Sequence, residues 1–578
     1  MTPRRCTKLS TMLLAAILAG PPATHAGATD EAVRRVAETM ARLEKLGFHG
    51  TLLIAGQEET LLAEGYGLAD RQADRPVTPE TVFTIGSITK QFTAAAILKL
   101  EMQGKLSTDD PIARWFEDVP TDKETITLHH LLTHTAGFPG ALGDDYDLEA
   151  TREAFLAEAM ACDLIHPPGV RYEYSNVGYS LLGIVVELAS GIGYEDFLRR
   201  NLFLPAGMTK TGYLLPAFEA DELAVGYRDG ERWGTVLERP MLSDGPSWHL
   251  RANGGIHSNS LDMLRWHRAL EGEEVLSSKA KEKYFRPYVD EGGGDSFYAY
   301  GWAVFTTPRG TKLLAHNGGN RVFAADCLRY VDEGIFLFIA SNGEMSAIQV
   351  SERIAPILFG ASTPLPPDVV ETSPDLLADY EGTYRLPSGG SIEVASVPGR
   401  LVLAAGDDAT VPLLSGSALS EVEDRTLRER TGSITRAWLE GDVRPIFEAF
   451  GGRIPLEELA EQAGSIRSRW EEALGPVLDV EPLPSAGEPD GARSFAEIRM
   501  EKGTRYVIYE WDGSRLAGIG LERRRPPEAE GRREVFPIST TRFESFRIAG
   551  GPRVRVRFES DALVLEREDG EVSATRSR

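Results

Sequence analysis

Thr81-Val-Phe-Thr-Ile-Gly-Ser-Ile-Thr-Lys-Gln-Phe92 is the most informative stretch of this 578-residue chain. Ser87 and Lys90 lie three residues apart at the start of a predicted helix, so their side chains share one helix face. The flanking residues are apolar or small and predict that this helix is buried. A serine hydroxyl needs a base before it attacks a carbonyl, and desolvation brings a lysine toward the neutral form that can serve. The stretch predicts a nucleophile and its base, although alone it also fits a helix cap and a surface lysine.

Two later motifs supply the other groups that such a pair needs. Tyr174-Ser-Asn176 follows a Pro-Pro-Gly turn; its tyrosine can relay a proton, and its asparagine can hold a substrate carbonyl and the lysine. His316-Asn-Gly-Gly319 follows an apolar predicted strand, and its glycines allow a ligand close to the backbone. A backbone N–H there could form an oxyanion hole with that of Ser87. Each motif alone is common in cores and turns, but the three in this order indicate a serine acyl-transfer enzyme.

The stretches around these motifs resemble the serine β-lactamase and penicillin-binding protein family, most of all its class C-like branch, whose second motif is Tyr-x-Asn. The resemblance covers about residues 30–360 and extends through Leu131-Leu-Thr-His-Thr-Ala-Gly137 and Asn253-Gly-Gly255. It implies an α+β fold in which a helical lobe packs against an antiparallel sheet flanked by helices. The site would lie between the lobe and the sheet.

The resemblance also implies a role for each motif residue. Ser87 would be the acylated nucleophile, with Lys90 and Tyr174 as the acid–base pair. The implied substrate ligands are Asn176, His316, Gly318 and Gly319, the last through its backbone N–H. His316 departs from the lysine that β-lactamases of this branch usually carry to hold a substrate carboxylate. A His-x-Gly third motif is similar to that of D-aminopeptidases and esterases of the family.

These observations favour a serine hydrolase that acts through an acyl-enzyme on small esters, amides or D-amino-acid peptides. Two alternatives stay open: a true β-lactamase, and a slow or inactive penicillin-binding-like protein that binds without turnover. No cofactor is expected. No metal is expected either, because the cluster of His129, His130 and His134 has no Cys or acid at ligand spacing.

The formal net charge of −25 argues against nucleic acid or an anionic membrane as a partner. The expected partner is a small-molecule or short-peptide substrate, and the sequence leaves the oligomeric state open. Cys162 and Cys327 are the cysteines beyond the N-terminal segment, and nothing in the sequence brings them together.

Residues 1–28 have the features of a secretory signal peptide. Basic residues are followed by the apolar stretch Met12–Ala19 and by Ala26-Gly-Ala28, which is typical of a cleavage site. The apolar stretch is shorter than the roughly 20 residues that span a bilayer. We therefore expect an exported protein, periplasmic or secreted, without a membrane span.

Changes in composition divide the rest of the chain. Residues 29–360 form one mixed unit, and the proline-rich residues 361–375 are predicted to be a linker. Strand-like residues 376–418 and 533–578 predict a β-barrel-like domain, interrupted by an α+β domain at 421–525. Strands of the inserted domain are predicted near 495–500, 505–511 and 515–521. Two consecutive domains are the plainer alternative to an insertion.

Overall fold

The computed structural model describes residues 29–577, with gaps at 229, 293–295, 321, 408–409, 416–418, 420, 453, 489–490, 523–524, 527–528, 530, 549–552 and 568–569. The predicted signal peptide, residues 1–28, lies outside the described residues. The chain divides into two compact units between Leu365 and Pro366. This boundary falls inside the predicted linker.

The first unit combines α-helices with an antiparallel sheet. Its helices are α1 Asp30–Lys45, α2 Thr89–Met102, α3 Leu128–Leu132, α4 Arg152–Ala161, α5 Asn176–Ser190, α6 Tyr194–Leu198, α7 Ser260–Ala269, α8 Ser278–Tyr284 and α9 Ala347–Leu358. Its strands are β1 Gly50–Ala55, β2 Thr60–Tyr66, β3 Leu68–Asp70, β4 Arg75–Pro76, β5 Phe83–Thr84, β6 Gly226–Arg228, β7 Glu231–Gly234, β8 Met241–Leu242, β9 Gly245–Pro246, β10 His257–Ser258, β11 Val289–Asp290, β12 Ser296–Tyr298, β13 Ala303–Thr306, β14 Lys312–Gly319, β15 Ala324–Tyr330 and β16 Ile335–Ser341.

Eight of these strands form the main sheet, in the order β11-β12-β13-β14-β15-β16-β1-β2. The N-terminal hairpin joins the C-terminal strands of the unit through the β1–β16 pair, in which Gly50 lies opposite Ser341. Every residue of β1 and β16 is buried. Their continuous apolar sequences are typical of strands covered on both faces, and the contacts of α7 and α9 with this part of the sheet agree.

The helical lobe is built around α2 and α5, which contact each other. α2 is buried from Thr89 through Leu98, which explains why its sequence has no polar face. The sheet and the lobe confirm the α+β, β-lactamase-like fold that the motifs predicted. Among the described residues, no single helix is long and apolar enough to cross a membrane. α5 together with the segment Tyr194–Phe203 meets the length and composition limits, but this pair bends by 74°.

The second unit contains a barrel and an α+β segment. Its helices are α10 Pro374–Ala378, α11 Val411–Ser415, α12 Glu421–Leu439, α13 Arg444–Ala449 and α14 Leu456–Leu474. Its strands are β17 Gly382–Arg385, β18 Ser391–Val397, β19 Arg400–Ala405, β20 Val477–Glu488, β21 Gly491–Met500, β22 Gly503–Asp512, β23 Arg515–Glu522, β24 Arg532–Pro537, β25 Arg542–Ser545, β26 Arg555–Glu559, β27 Ala562–Arg567 and β28 Gly570–Arg576.

The barrel closes in the order β17-β18-β19-β24-β25-β26-β27-β28, through pairing of β17 with β28. Closure leaves no strand edge open, and inward residues such as Val556 and Phe558 alternate with outward ones. The chain leaves the barrel after β19 and returns at β24. The intervening segment forms a separate four-stranded sheet, β20 to β23, packed against α12. The predicted insertion in a barrel-like module is confirmed.

The strand β20 was missed by the sequence analysis, which predicted only the other three strands of its sheet. Pro482 and Pro484 lie within it, and proline argues against a strand because it cannot donate to the ladder. β20 is an edge strand, and its register with β21 shifts between Leu483 and Ala486. The prolines have no backbone N–H to donate. An edge strand has no partner on one side, and the register shift interrupts the pairing on the other, so the sheet can accommodate them.

Candidate active site

Ser87 lies in a short 3₁₀ turn, Gly86–Ile88, directly before α2. The end of β14 packs against this turn so closely that side chains are excluded. A Cβ on Gly86, whose φ is +54°, would lie 2.3 Å from the Gly319 nitrogen, and one on Gly318 would lie 2.6 Å from the Ser87 nitrogen. The first and third motifs therefore meet through their backbones, and the amides expected to bind an oxyanion, Ser87 N and Gly319 N, come together.

Lys90 has no exposed surface. Its Nζ lies 3.1 Å from Ser87 Oγ, 2.7 Å from Asn176 Oδ1 and 2.9 Å from the Asn253 carbonyl oxygen. The Tyr174 ring centroid lies 4.7 Å from the same nitrogen. The lysine thus joins the first motif to the second, at the place where the sequence predicted a base. The Asn253 carbonyl belongs to the Asn253-Gly-Gly255 stretch and is a further hydrogen-bond acceptor for the lysine.

The second motif is held in place by a histidine that the sequence analysis considered only as a metal ligand and set aside. The buried His134 accepts the Ser175 backbone N–H through Nδ1 at 3.0 Å, and its ring centroid lies 4.3 Å from that of Tyr174. The Ser175 hydroxyl caps α5 by accepting the Gly178 N–H. Burial holds the pKa of His134 well below its usual range. A neutral ring and a helix cap together orient the tyrosine and the asparagine.

His316 lies on β14 and is 4% exposed. Burial and the nearby Lys90 lower its pKa to about 3, so the ring is neutral at physiological pH. Its Nδ1 lies 2.6 Å from the Asn317 carbonyl oxygen and must donate to it, which leaves Nε2 to accept the Tyr298 hydroxyl at 3.0 Å. Both ring nitrogens are therefore engaged within the protein. This differs from the predicted role, because His316 presents no N–H donor to a substrate in this arrangement.

Tyr298 and Asp145 are site residues that the sequence analysis missed. Tyr298 donates to Nε2 of the neutral His316 and lies in β12, outside every motif. Asp145 accepts a hydrogen bond from Asn176 Nδ2 at 2.7 Å. Burial raises the pKa of Asp145 to about 7, although its bond to Asn176 and the charge of Lys90 act in the opposite direction. Asp145 lies in an irregular segment, where no periodicity could have marked it.

No group of three or more His, Cys, Asp or Glu side chains in the described part of the chain is arranged to hold a metal ion. Within the same residues, Cys162 and Cys327 are both free thiols. The chemistry that this site offers is that of the hydroxyl, the amine, the phenol and the backbone amides.

Comparisons with known proteins agree with the fold and with the family that the motifs resemble. The family model described as Beta-lactamase matches residues 33–356. Penicillin-binding protein 4* of Bacillus subtilis (strain 168) is 29% identical over 405 residues, which are 65% of this chain and 87% of that protein. Esterase EstB of Burkholderia gladioli is 31% identical over 312 residues, 46% of this chain and 78% of that protein.

Among solved structures, the octameric penicillin-binding protein homologue from Pyrococcus abyssi has a similar fold. The TM-score is 0.52 at 20% identity, with 94% of this chain and 99% of that chain covered. The family match spans more than half of the chain and contains all three motifs. The chain therefore belongs to the β-lactamase family of serine β-lactamases and penicillin-binding proteins.

Proposed function

We propose that this protein is an exported serine hydrolase that forms an acyl-enzyme on Ser87 and hydrolyses small esters, amides or D-amino-acid peptides without a cofactor. The observation that carries the proposal is the set of contacts around Lys90. One buried amine reaches the nucleophile, the substrate-holding amide and a backbone carbonyl. A buried lysine is costly in a purely structural role, which favours a catalytic one.

In acylation, Ser87 Oγ attacks the substrate carbonyl carbon. As a neutral amine, Lys90 keeps two N–H donors, which Asn176 Oδ1 and the Asn253 carbonyl accept, and its lone pair takes the serine proton across 3.1 Å. Tyr174, next to Lys90, relays that proton to the leaving oxygen or nitrogen as its bond to the carbonyl carbon breaks. The Ser87 and Gly319 amides would stabilise the oxyanion, typically by about 3 kcal/mol per donor.

Deacylation follows the same route in reverse. Water attacks the acyl carbon, the Tyr174–Lys90 pair accepts its proton, and Ser87 recovers a proton as the ester bond breaks. Both steps use the same groups, the Ser87 hydroxyl, the Lys90 amine and the Tyr174 phenol, which the structure holds around one nitrogen.

Because the His316 ring in the third motif is neutral, we expect the protein to prefer substrates without a carboxylate beside the scissile bond. His316 carries no charge at neutral pH and uses both ring nitrogens within the protein. The similarity to an esterase is consistent with this preference. Export rests on the sequence of residues 1–28, whose basic, apolar and small-residue regions follow the order of a signal peptide.

A fluorophosphonate probe tests the nucleophile directly. We expect the probe to label Ser87, located by peptide mapping. A panel of a neutral ester, a D-alanine amide and a penicillin should then show turnover of the first two in preference to the third. Absence of label on Ser87 would reject the hydrolase and leave the binding-protein alternative.

Replacing His316 with lysine should change substrate choice. A cation at this position would attract a carboxylate, so His316→Lys should raise the ratio of kcat/KM for benzylpenicillin to that for a neutral ester. A gain of about 1–2 kcal/mol is expected for a charge-assisted contact, or about 5- to 30-fold. His316→Gln removes the ring without adding charge and should leave the ratio low. A wild-type preference for penicillin that neither substitution moves would contradict this account.

A further inference from the structure

The Lys90 amine has a main-chain ligand, the Asn253 carbonyl oxygen, which lies 2.9 Å from Nζ. A neutral amine gives one N–H to this carbonyl and the other to Asn176 Oδ1, and its lone pair is then directed at Ser87 Oγ. If the carbonyl moved, the amine could rotate and present an N–H to the serine in place of the lone pair. The orientation of the base therefore depends on where the chain holds this carbonyl.

The carbonyl belongs to an irregular turn, residues 248–254, which packs against the helical lobe. Thr93 Oγ1 in α2 donates to the Ala252 carbonyl at 2.6 Å. α5 approaches the turn so closely that a Cβ on Gly183 would lie 2.4 Å from the Ala252 Cβ. These contacts fix the turn against the two helices that carry the first and second motifs.

Arg251, two residues before Asn253, ties the same turn to the hairpin of β8 and β9. Its guanidinium donates to both carboxylate oxygens of Asp244, at 2.7 and 2.8 Å, and to the Pro246 carbonyl at 2.9 Å. The ring centroid of Trp248 lies 4.6 Å from its Cζ. The bidentate bond and the ring together hold the arginine side chain in one position.

The burial of Arg251 is more than stability requires. Its side chain is 2% exposed, whereas that of Asp244 is 61% exposed. Burying a guanidinium is costly, and apolar residues of similar volume often stabilise a fold as well as a buried ion pair does. What the arginine adds is a fixed geometry. Its backbone is held too, because its N–H donates to the Ser247 carbonyl at 2.9 Å and its carbonyl accepts the Tyr213 hydroxyl.

We propose that Arg251 is a positioning residue for acyl transfer. Its ion pair with Asp244 fixes the turn, and the fixed turn keeps the Asn253 carbonyl against the Lys90 amine. Arg251 acts through the backbone of the turn and not on the reacting atoms. The inference rests on the proposed function, because it takes Lys90 as the base.

The test measures, as a function of pH, the rate at which a fluorophosphonate labels Ser87 in wild type, Asp244→Asn and Arg251→Met. Labelling needs the same removal of the serine proton as acylation. On the plateau above the acidic limb, both variants should be labelled about 10- to 100-fold more slowly than wild type, because a misplacement of about 1 Å can have an effect of this size.

The acidic limb of the same profile separates positioning from a long-range effect of charge. A carbonyl ligand favours the ammonium form of Lys90 over the neutral amine. Loss of that ligand should therefore move the limb to lower pH in both variants. A charge effect alone would move it to lower pH in Asp244→Asn, which removes a negative charge, and to higher pH in Arg251→Met, which removes a positive one.

Glu238→Gln is the matched control. Glu238 also holds an arginine, Arg232 of β7, through two hydrogen bonds of 2.8 Å, and its side chain is 45% exposed. Loss of this pair should leave both the plateau rate and the limb unchanged. Thermal unfolding shows whether each protein is folded at the assay temperature, and Arg251→Gln replaces Arg251→Met if the latter is not.

Three results would overturn the inference. They are wild-type plateau rates in both variants, limbs that move in opposite directions, and a lower melting temperature with an unchanged labelling rate of the folded protein. The last would make the ion pair purely structural. Failure of the proposed function looks different, because wild-type Ser87 would then not be labelled at all.

Discussion

Ser87→Ala is expected to lower kcat by about 10⁴- to 10⁶-fold, because it removes the atom that forms the acyl-enzyme while the oxyanion amides and substrate ligands stay in place. The substitution deletes one hydroxyl from a partly exposed turn, so the melting temperature should be close to that of the wild type. The measurement is steady-state turnover of a neutral ester, together with fluorophosphonate labelling.

Ser180→Ala is the matched control for that variant. Ser180 is a buried serine in α5 whose hydroxyl accepts from Asn253 Nδ2, and it belongs to none of the three motifs. The control should still be labelled at Ser87. Turnover by Ser87→Ala at the wild-type rate would show that another group is the nucleophile.

Tyr174→Phe is expected to slow both acylation and deacylation by about 10²- to 10⁴-fold, the usual range for a general acid–base group. The ring would still pack against His134 and Lys90, so the loss would come from the hydroxyl and the proton it relays. Single-turnover kinetics separate the two steps, and both rates should fall.

Tyr172→Phe is a control from the same aromatic cluster. Its hydroxyl donates to Glu291 at 2.9 Å, and its ring lies 5.8 Å from that of His134. The acylation and deacylation rates of this variant should fall by less than about tenfold, because the lost hydroxyl takes part in no proton transfer. The lost hydrogen bond should instead lower the stability of the fold, by up to about 1.5–3 kcal/mol for a bond to a charged group. Equal losses in the two variants would mean that Tyr174 acts through packing rather than proton transfer.

Much of the fold could be predicted from local sequence. The spacing of the apolar residues in α1 is enough to predict a helix, because one face of that helix is buried and the other is exposed to solvent. The barrel strand β26 lies in the predicted strand-like residues 533–578, and its alternation of apolar and charged residues is typical of a strand with one buried face. The prolines in β20 argued against a strand, but a strand at the edge of a sheet can contain proline. The sequence of β20 alone does not show that it lies at an edge, because that depends on which strands pair with it.

The site could be predicted only in part. Ser87, Lys90, Tyr174 and Asn176 were found because each belongs to a short motif, and the structure brings their side chains together around one amine. Asp145 and Tyr298 belong to no motif and reach the site from an irregular segment and from a strand near the sheet edge. Their roles depend on contacts between residues far apart in sequence.

The sequence by itself determined the family, the order of the motifs and the chemical groups available for acyl transfer. Those depend on residue identity and on spacings of a few residues, which one helix turn or one strand sets locally. Only the tertiary structure decided which of these groups are charged and which face a substrate. His316 is neutral because burial and Lys90 disfavour its proton, and its tautomer follows from the Asn317 carbonyl. Desolvation and hydrogen-bond partners of this kind arise when distant segments pack, so no local pattern can specify them.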